Sequence, residues 1–516
     1  MADLLLTGRW VVLSSDDVRI DHAVLLRNGR VAEVGPTSDL RTRHSGTPER
    51  GGPECAILPG LINAHHHCYG VELANQAVDD DFLEPWMFNG PTMVALSPYV
   101  STAHAALRLL RSGVTSVVDM CAAGPTREEA EDRLQSRAAA YRNIGIRAAI
   151  APGERWENRI VHGDGEEAAF LATLPQDLRN RLSLQENNRV RLSAEEYFDL
   201  MACLVPQGDG VQDYWFGPTG PQWTPDDMLR RIGSEAERLN TRIQTHALES
   251  HYESIESPRI RGCSVLKHLD HLGFLTPRTS LAHAVWATSS DINLLSKRGS
   301  QISHNPGSNL RLRSGIAPVP NLVQKNVPTA LGMDGTTMGA DEDMFAEMRL
   351  ALALGSPPHG SVSALTPRTV FAMATQQGAR LMGRENELGQ LRSGFNGDAI
   401  VLDLSRITAP WCDPSVDPIS MIVARTKAED VRDVVVAGQI VMQDRTPTRV
   451  DEANLMTRLR DELTASSPDP QSRILQSQLR PYLMRWYAQW DDQSCDTHPP
   501  VTRYGARPLP YGKVQS

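Results

Sequence analysis

Residues 58–70 read LPGLINAHHHCYG, an apolar run that opens on Pro-Gly and ends in three adjacent histidines. On a β-strand successive side chains point to opposite faces, so His65 and His67 share one face while His66 points to the other. Strand spacing would hold the two imidazoles about 6–7 Å apart, and paired imidazoles at a strand end suit a metal ion. From this stretch alone, a metal site and a chance cluster of histidines are about equally supported.

The composition is that of a soluble globular protein. The chain has 516 residues, of which 41% are hydrophobic and 22% charged, values typical of globular domains. Barrels of (β/α) type with additions reach this length as one catalytic unit. The net charge of −10 argues against a nucleic-acid-binding protein, which usually carries a basic surplus. A nucleic-acid-like substrate would therefore be a free base or a nucleoside.

The cysteine pattern and the hydropathy pattern predict a cytoplasmic protein. The seven cysteines are scattered and form no Cys-x-x-Cys pair, as expected in a reducing compartment. The N-terminal segment lacks the basic and apolar regions of a signal peptide. The sequence has no run of about 18 apolar residues, which a membrane-spanning helix would need. We therefore expect no membrane partner and no disulfide framework.

Strand-like and helix-like segments alternate from residue 58 onward. Before that point, residues 1–57 read as short strands, with a hairpin turn predicted at Asn28-Gly29. Eight apolar strand segments follow, separated by helix-length segments: AILPGLINAHH (56–66), GVTSVVDM (113–120), IRAAIAP (146–152), YWFGPTGP (214–221), TRIQTHA (241–247), TSLAHAV (279–285), SQISHN (300–305) and VPTALGMD (327–334). Eight such units predict an α/β fold, a (β/α)8 TIM-type barrel over residues 58–387.

Three segments lie outside or interrupt this regular pattern. Residues 388–450 return to strands with the rhythm of residues 1–57, so we expect one small β-sandwich formed from both flanks of the barrel. Residues 451–516 read as a helical and irregular C-terminal tail that forms surface or subunit contacts. Residues 152–192 form a long loop after the third strand, and loops of that length are usually functional or disordered. We expect a substrate lid there, with a dimer contact as the alternative.

Ligand-type side chains stand at the ends of five of the eight predicted strands. Catalytic groups of such barrels come from the C-terminal ends of the strands. The residues found there are His65 and His67 (strand one), His246 (strand five), His283 (strand six), His304 (strand seven) and Asp334 (strand eight). A single histidine at such a place is usually a hydrogen-bonding residue, but this recurrence strongly favours a site.

Five motifs in order carry a resemblance to a known family. They are PGLINAHHH (59–67), QTHALES (244–250), LAHAVWA (281–287), SHNPGSNLRLRSGIAPV (303–319) and LGMDGTTMGADEDMFAEMR (331–349). Together they resemble the amidohydrolase superfamily, in its aminohydrolase and chlorohydrolase branch. That branch includes guanine, 8-oxoguanine and S-adenosylhomocysteine deaminases and the triazine hydrolases. The resemblance covers roughly residues 1–450.

The resemblance implies a role for each matching residue. The metal ligands are His65, His67, His246 and Asp334; the acid/base glutamate is Glu249; and the histidine beside the attacking water is His283. Three imidazoles and a carboxylate leave room at Zn²⁺ or Fe²⁺ for one water, whose pKa falls to about 7. For amine displacement from an aromatic ring, Glu249 would protonate the adjacent ring nitrogen, while Asp334 and His283 accept the proton of the water.

The placement of lysines predicts a single metal ion. Relatives with two metals bridge them with a carboxylated lysine near the end of strand four, but the first lysine here is Lys267, beyond strand five. We therefore expect one divalent metal, Zn²⁺ before Fe²⁺. A glutamate or cysteine bridge stays open.

The substrate-binding candidates are Trp86, Gln222, Trp223, His304 and Asn309. In several heterocycle deaminases a glutamine stands where this chain has Gly70, and a histidine-bearing segment where it has Gln222-Trp223. These departures leave open whether the ring resembles guanine. A turn at His304 and Asn309 and core packing of Trp86 are the structural alternatives.

Three functions compete on this evidence. The first is an aminohydrolase that acts on a small heterocyclic molecule as a homodimer or larger homo-oligomer. The second is opening of a cyclic amide or displacement of another leaving group such as chloride. Glu249 favours the first, because an amine leaves only with a proton. The third is a non-catalytic barrel protein that only binds, which the complete ligand set disfavours.

Overall fold

The computed structural model describes residues 3–68, 70–335, 341–356, 364–466 and 469–490, and its strands form three sheets. The strands are β1 (Leu4–Ser14), β2 (Asp17–Arg27), β3 (Arg30–Pro36), β4 (Glu49–Pro59), β5 (Leu61–His66), β6 (Val114–Ala122), β7 (Arg147–Gly153), β8 (Gln212–Tyr214), β9 (Ile243–Ala247), β10 (Thr279–His283), β11 (Gln301–His304), β12 (Thr329–Leu331), β13 (Ala399–Asp403), β14 (Val431–Val436), β15 (Gln439–Gln443) and β16 (Thr446–Pro447).

Helices connect most of these strands. The α-helices are α1 (Thr37–Arg43), α2 (Leu83–Trp86), α3 (Pro98–Arg111), α4 (Arg127–Ile144), α5 (Glu166–Thr173), α6 (Gln176–Asn187), α7 (Ala194–Leu204), α8 (Asp226–Arg238), α9 (His251–Arg261), α10 (Val265–His271), α11 (Ser289–Arg298), α12 (Pro306–Arg311), α13 (Val319–Gln324), α14 (Met344–Leu354), α15 (Pro367–Met373), α16 (Gln376–Leu381), α17 (Pro418–Arg425), α18 (Glu452–Ala465) and α19 (Pro470–Ala488). Short 3₁₀ segments span Leu73–Gln76, Met87–Thr92, Val205–Gln207, Pro221–Trp223 and Ala428–Asp430.

Eight parallel strands alternate with helices, as predicted. They form two four-stranded sheets, one in the order β5-β6-β7-β8 and one in the order β12-β11-β10-β9. At one junction of the two sheets, the N–H of Gln244 donates to the carbonyl of Phe216 over 3.0 Å. At the other, the N–H groups of Met333 and Asp334 donate to the carbonyl of His65 over 3.2 and 3.0 Å. The strand ends that carry the candidate ligands therefore lie side by side.

The first predicted strand is divided between two sheets, which corrects the expectation of one continuous strand over 56–66. β4 ends at Pro59 and β5 begins at Leu61. Gly60 lies at the break, where a Cβ atom would meet the side chain of Thr115, so only glycine allows this approach. Its N–H donates to the carbonyl of Asp398 over 3.0 Å. The apolar run therefore feeds both the flanking sheet and the parallel sheet.

Both flanks of the parallel strands join in one eight-stranded sheet, in the order β16-β15-β14-β13-β4-β1-β2-β3. The strand β4 pairs with the strand β13 in antiparallel register, so strands from both flanks lie in one sheet. Buried apolar side chains from both ends, including Leu6, Ile57 and Val401, share one core. The division of this unit into the two layers of a sandwich stays a prediction.

The predicted hairpin turn at Asn28-Gly29 is observed between β2 and β3. Both residues have positive φ, 52° and 79°, as a two-residue hairpin of this kind requires. Among the described residues, no helix combines the length and the apolar character needed to cross a membrane.

The long loop predicted over 152–192 contains two helices, α5 and α6. Leu178 and Leu182 of α6 are four residues apart and face α19, where Leu475, Leu479 and Leu483 repeat the same spacing. The sequence did not predict these helices because each is short and its packing partner lies about 300 residues away. Residues 491–516 of the predicted tail lie outside the described residues.

Candidate metal centre

Four buried side chains from four strand ends meet at the mouth of the parallel strands. One ligand atom from each of His65, His246, His283 and Asp334 lies within 4.8 Å of the others. The histidines are at or next to the last residues of β5, β9 and β10, and Asp334 lies three residues beyond β12. This arrangement brings together four of the six residues that the strand-end pattern singled out, and His304 is not among them.

His67 also faces this group, from just beyond the end of β5. Its Nε2 lies 3.3 Å from Nε2 of His246 and 3.4 Å from Oδ1 of Asp334. The ring centroids of His65 and His67 are 4.9 Å apart at an angle of 84°, closer than the 6–7 Å expected from strand spacing. The rings approach because His67 lies past the last strand residue and is free of the regular pleat.

Hydrogen bonds fix the orientation of the three imidazoles. Nδ1 of His67 donates to the carbonyl of Met120 over 2.8 Å, and Nδ1 of His246 to the carbonyl of Thr219 over 2.6 Å. Nδ1 of His65 donates to Oε1 of Gln244 over 2.9 Å. A carbonyl oxygen can only accept, so Nδ1 carries the proton. Each Nε2 therefore presents a lone pair to the centre, as metal-binding histidines do.

The ring nitrogen Nε2 of His65 faces Asp334 at the centre. Nε2 of His65 lies 2.9 Å from Oδ1 of Asp334, yet it has no hydrogen-bond partner among the described residues. Both atoms are acceptors when Nδ1 holds the proton, and two facing lone pairs at this distance repel each other unless a cation lies between them. The residues present therefore fit a divalent metal ion.

The protonation states of His246 and Asp334 also suit a metal ion. Burial and the neighbouring imidazoles lower the pKa of His246 well below its usual value. Burial would raise the pKa of Asp334, but the surrounding imidazoles hold it well below its ordinary value. Neutral imidazole and ionised carboxylate are the forms that bind metals.

His66 lies outside this group, as strand alternation predicts. It is buried, and its Nε2 is 3.8 Å from Oε1 of Glu342. Burial lowers the pKa of His66 to about 3, which keeps the imidazole neutral.

Glu249 lies beside this group, next to His283. Oε1 of Glu249 lies 3.7 Å from Nε2 of His283, which is 3.9 Å from Oδ2 of Asp334. Burial and the nearby charges of Asp334, Glu253 and Glu84 raise the pKa of Glu249 well above its usual value. A carboxyl group with a raised pKa holds its proton more readily and can act as an acid.

His283 adopts an unusual backbone conformation. Its φ is +78°, in the left-handed region that non-glycine residues seldom enter. Its Nδ1 lies 2.8 Å from Oδ1 of Asn309, so Asn309 fixes the ring.

A cavity of about 100 Å³ opens beside the centre. Its lining includes the polar residues His67, His246, Glu249, Asp334 and Thr219 and the apolar residues Leu83, Trp86, Met87, Trp223 and Leu312. Two tryptophans therefore belong to the apolar part of the lining. Residues 336–340, which follow Asp334, are outside the described part of the chain.

The predicted substrate residues fall into two groups. Trp86 and Trp223 line this cavity. The other three are buried and do not line it in the described structure: Gln222 lies beside Asn158, which donates to its backbone carbonyl over 2.9 Å, His304 ends β11, and Asn309 contacts His283. For Asn309 the geometry favours positioning of the His283 ring.

Several functional contacts were missed in the sequence. Gln244 lies two residues before His246 on β9, so the alternation of side chains could have placed both on one face. The carbonyls of Met120 and Thr219 carry no side-chain signal that could have revealed them.

Beyond His67 the chain is held by a buried ion pair. The N–H of Cys68 donates to Oδ1 of Asp119 over 3.1 Å, and Arg137 donates to the carbonyl of Cys68 over 2.9 Å. Arg137 and Asp119 are themselves paired at 3.1 Å. The thiol of Cys68 accepts a hydrogen bond from Tyr141 over 2.6 Å, so Cys68 packs away from the centre.

The chain belongs to the amidohydrolase family, whose sequence profile matches residues 56–441. It is 32% identical over 469 residues to a 5-methylthioadenosine/S-adenosylhomocysteine deaminase of Syntrophobacter fumaroxidans, covering 89% of this chain and 97% of that protein. It is 28% identical over 463 residues to a 5'-deoxyadenosine deaminase of Methanosarcina barkeri, covering 88% and 96%.

A solved structure shows the same fold. The zinc-bound adenosine deaminase of Xanthomonas campestris superposes with a TM-score of 0.74 at 27% identity, covering 89% of this chain and 98% of that one. The resemblance drawn from the five motifs is thereby confirmed. The two parallel sheets and the metal centre described above are therefore those of an amidohydrolase.

Proposed function

We propose that the protein is a mononuclear metal-dependent aminohydrolase, which displaces an amino or substituted-amino group from an N-heteroaromatic ring by hydrolysis. The observation that carries the proposal is the group of convergent ligand atoms within 4.8 Å of one another, beside a cavity that Glu249 lines. The deaminase names of the relatives support the same reaction class.

The metal is held by His65, His67, His246 and Asp334, and zinc is the first choice because the Xanthomonas deaminase contains it; Fe²⁺ is the alternative. When bound, the metal supplies Lewis acidity that makes a hydroxide nucleophile available near neutral pH. Lys267 lies exposed on α10, far along the chain from β8, in keeping with a site without a lysine bridge.

The chain's own residues move the protons. Glu249 gives its proton to the ring nitrogen next to the attacked carbon, which lets that carbon accept the nucleophile. Asp334 and His283 receive the proton of the water and pass it to the departing amine. When the C–N bond breaks, the amine leaves with that proton. The hydroxyl group that the ring has gained then gives its proton to Glu249, which restores the acid form of that carboxyl group.

The walls of the cavity suit a flat ring. Trp86 and Trp223 offer aromatic faces for stacking. The side chains of Glu249, Asp334 and His283 act on the reacting edge of the ring. Glu249 favours an amine over chloride as leaving group, because chloride departs without a proton. Opening of a cyclic amide is the remaining enzymatic alternative.

The wider architecture is part of the proposal. The two parallel sheets form one closed (β/α)8 barrel over residues 58–387, residues 1–57 and 388–450 form the small β-sandwich, and residues 451–516 form the tail. The protein acts in the cytoplasm on a small heterocyclic molecule as a homodimer or larger homo-oligomer, without nucleic-acid or membrane partners.

An amine-release screen tests the proposed function. The zinc-loaded protein is incubated with 5'-deoxyadenosine, 5-methylthioadenosine, S-adenosylhomocysteine, guanine, pterins and amino-substituted triazines, and ammonia or amine is measured together with the hydroxylated ring. The expected result is one amine per product molecule with at least one ring class, and loss of turnover in Glu249→Gln. Release of chloride alone, or ring opening without a free amine, would overturn the proposal.

A further inference from the structure

The backbone on either side of Glu249 is held by a second glutamate. Both carboxylate oxygens of Glu253 accept backbone N–H groups, one from Leu248 and one from Glu249, each over 2.7 Å. Leu248 has φ +54°, so the turn needs such support. The carboxyl group of Glu249 projects from this turn into the cavity.

Ser250 connects this turn to helix α2. It is the N-cap of α9, and its Oγ accepts the N–H of Glu253 over 3.1 Å. The same hydroxyl donates to Oε1 of Glu84. Glu84 lies on α2 next to Leu83, and Met87 follows directly after this helix. Both Leu83 and Met87 line the cavity. The position of Glu84 therefore bears on both the turn and the cavity wall.

Glu84 is held in turn by His162 from the insertion. Nε2 of His162 lies 3.1 Å from Oε1 of Glu84, and both side chains are 3% exposed. A buried carboxylate requires such a partner, since desolvation of an unpaired charge is costly. The imidazole also packs against Trp223 of the cavity wall, with ring centroids 5.7 Å apart.

The C-terminal helix α19 completes the chain of contacts. The backbone N–H of His162 donates to Oη of Tyr487 over 3.0 Å. The ring of Tyr487 packs on Tyr252 of α9 with centroids 4.7 Å apart, so α19 touches the same helix whose N-cap supports Glu249. Tyr487 is 1% exposed. It also lies beyond residue 441, where the match to the family profile ends.

We propose that Tyr487 is a positioning residue for the proton-donating glutamate, acting through His162, Glu84 and Ser250 on the turn that carries Glu249. The insertion and α19 thereby become part of the active-site assembly. The inference rests on the proposed function for its kinetic consequence, but its structural part, the control of the 248–250 turn by α19, stands independently.

Tyr487→Phe is the test variant, because it keeps the ring and removes only Oη. Tyr482→Phe is the matched control: Tyr482 lies on the same helix, half-buried, with its ring under the guanidinium of Arg485 at 4.5 Å. Ser250→Ala removes the connection from its other end. Metal content, kcat, KM and amide hydrogen exchange over residues 248–253 are measured for each.

The expected result is a distinct pattern in Tyr487→Phe and Ser250→Ala. Amide hydrogen exchange over residues 248–253 becomes faster. The value of kcat falls by about threefold to tenfold, the scale of one hydrogen bond, while KM and metal content stay unchanged. In a Glu249→Gln background the same changes cause no further loss, because the group that they position no longer acts. Tyr482→Phe shows none of these effects.

Two outcomes would overturn the proposal. One is an unchanged rate of amide hydrogen exchange over residues 248–253 in both Tyr487→Phe and Ser250→Ala. This outcome counts whether or not a substrate has been identified. The other is a loss of kcat that multiplies with that of Glu249→Gln, or that the Tyr482→Phe control shares. If no ring in the screen releases an amine, the proposed function fails on its own, and the exchange rates still decide whether α19 controls the turn.

Discussion

Replacing Glu249 with glutamine should remove most turnover and leave the metal in place. The side chain lies 3.7 Å from His283 and is not part of the four-residue ligand group. Its backbone N–H is held by Glu253, an interaction that the substitution does not touch. Glutamine has the same shape and stays buried, so the turn should keep its position while the transferable proton is lost.

The size of the effect follows from the role assigned to this carboxyl group. A positioned general acid contributes about 10²- to 10⁴-fold to a rate, which corresponds to about 2.7–5.5 kcal/mol of transition-state stabilisation. We therefore expect kcat to fall at least about 10²-fold, with the metal content per chain unchanged.

The assay compares metal content by elemental analysis with kcat for amine release. His246→Ala is the control and should lose both, because it removes one imidazole from the site. Near-normal turnover in Glu249→Gln would refute the proton-transfer role and point to a leaving group that needs no proton.

Two further predictions concern the metal centre. His67→Ala should strip metal and activity, whereas His66→Ala should leave the metal content nearly intact, because the two side chains point to opposite faces; the reverse pattern would mean that the strand register is wrong. Gly332→Ala should lower metal occupancy, because a Cβ there would lie 2.5 Å from Oγ of Ser303 and 3.0 Å from Cβ of His65. Gly233→Ala, whose nearest atom would be 3.8 Å away, is the control and should keep full occupancy.

The ligand residues could be predicted from the sequence because each lies at the end of an apolar run. The run before His65, the strand before His246 and the segment before Asp334 all carry their polar residue where parallel strands meet at one edge. This placement follows from local patterns, and no long-range contact has to be known. The prediction of a single metal ion also needs no long-range contact, since it rests on the position of Lys267 in the chain.

Contacts between distant segments could not be predicted. Glu84, His162 and Tyr487 are far apart in the chain, and none of them belongs to a motif. Their meeting depends on the packing of α5 and α6 on α19, which no local periodicity reveals. Gly60 illustrates the same limit, because its close approach to Thr115 becomes visible only once the two sheets are in place.

Metal stoichiometry tests the central claim most directly. Elemental analysis of the purified protein, compared with His246→Ala as the site-disrupted reference, measures the number of metal ions held at this centre. The account predicts close to one equivalent of a divalent transition metal per chain, zinc before iron, and its loss in His246→Ala. Two tightly bound equivalents, or one equivalent that persists in His246→Ala, would contradict it.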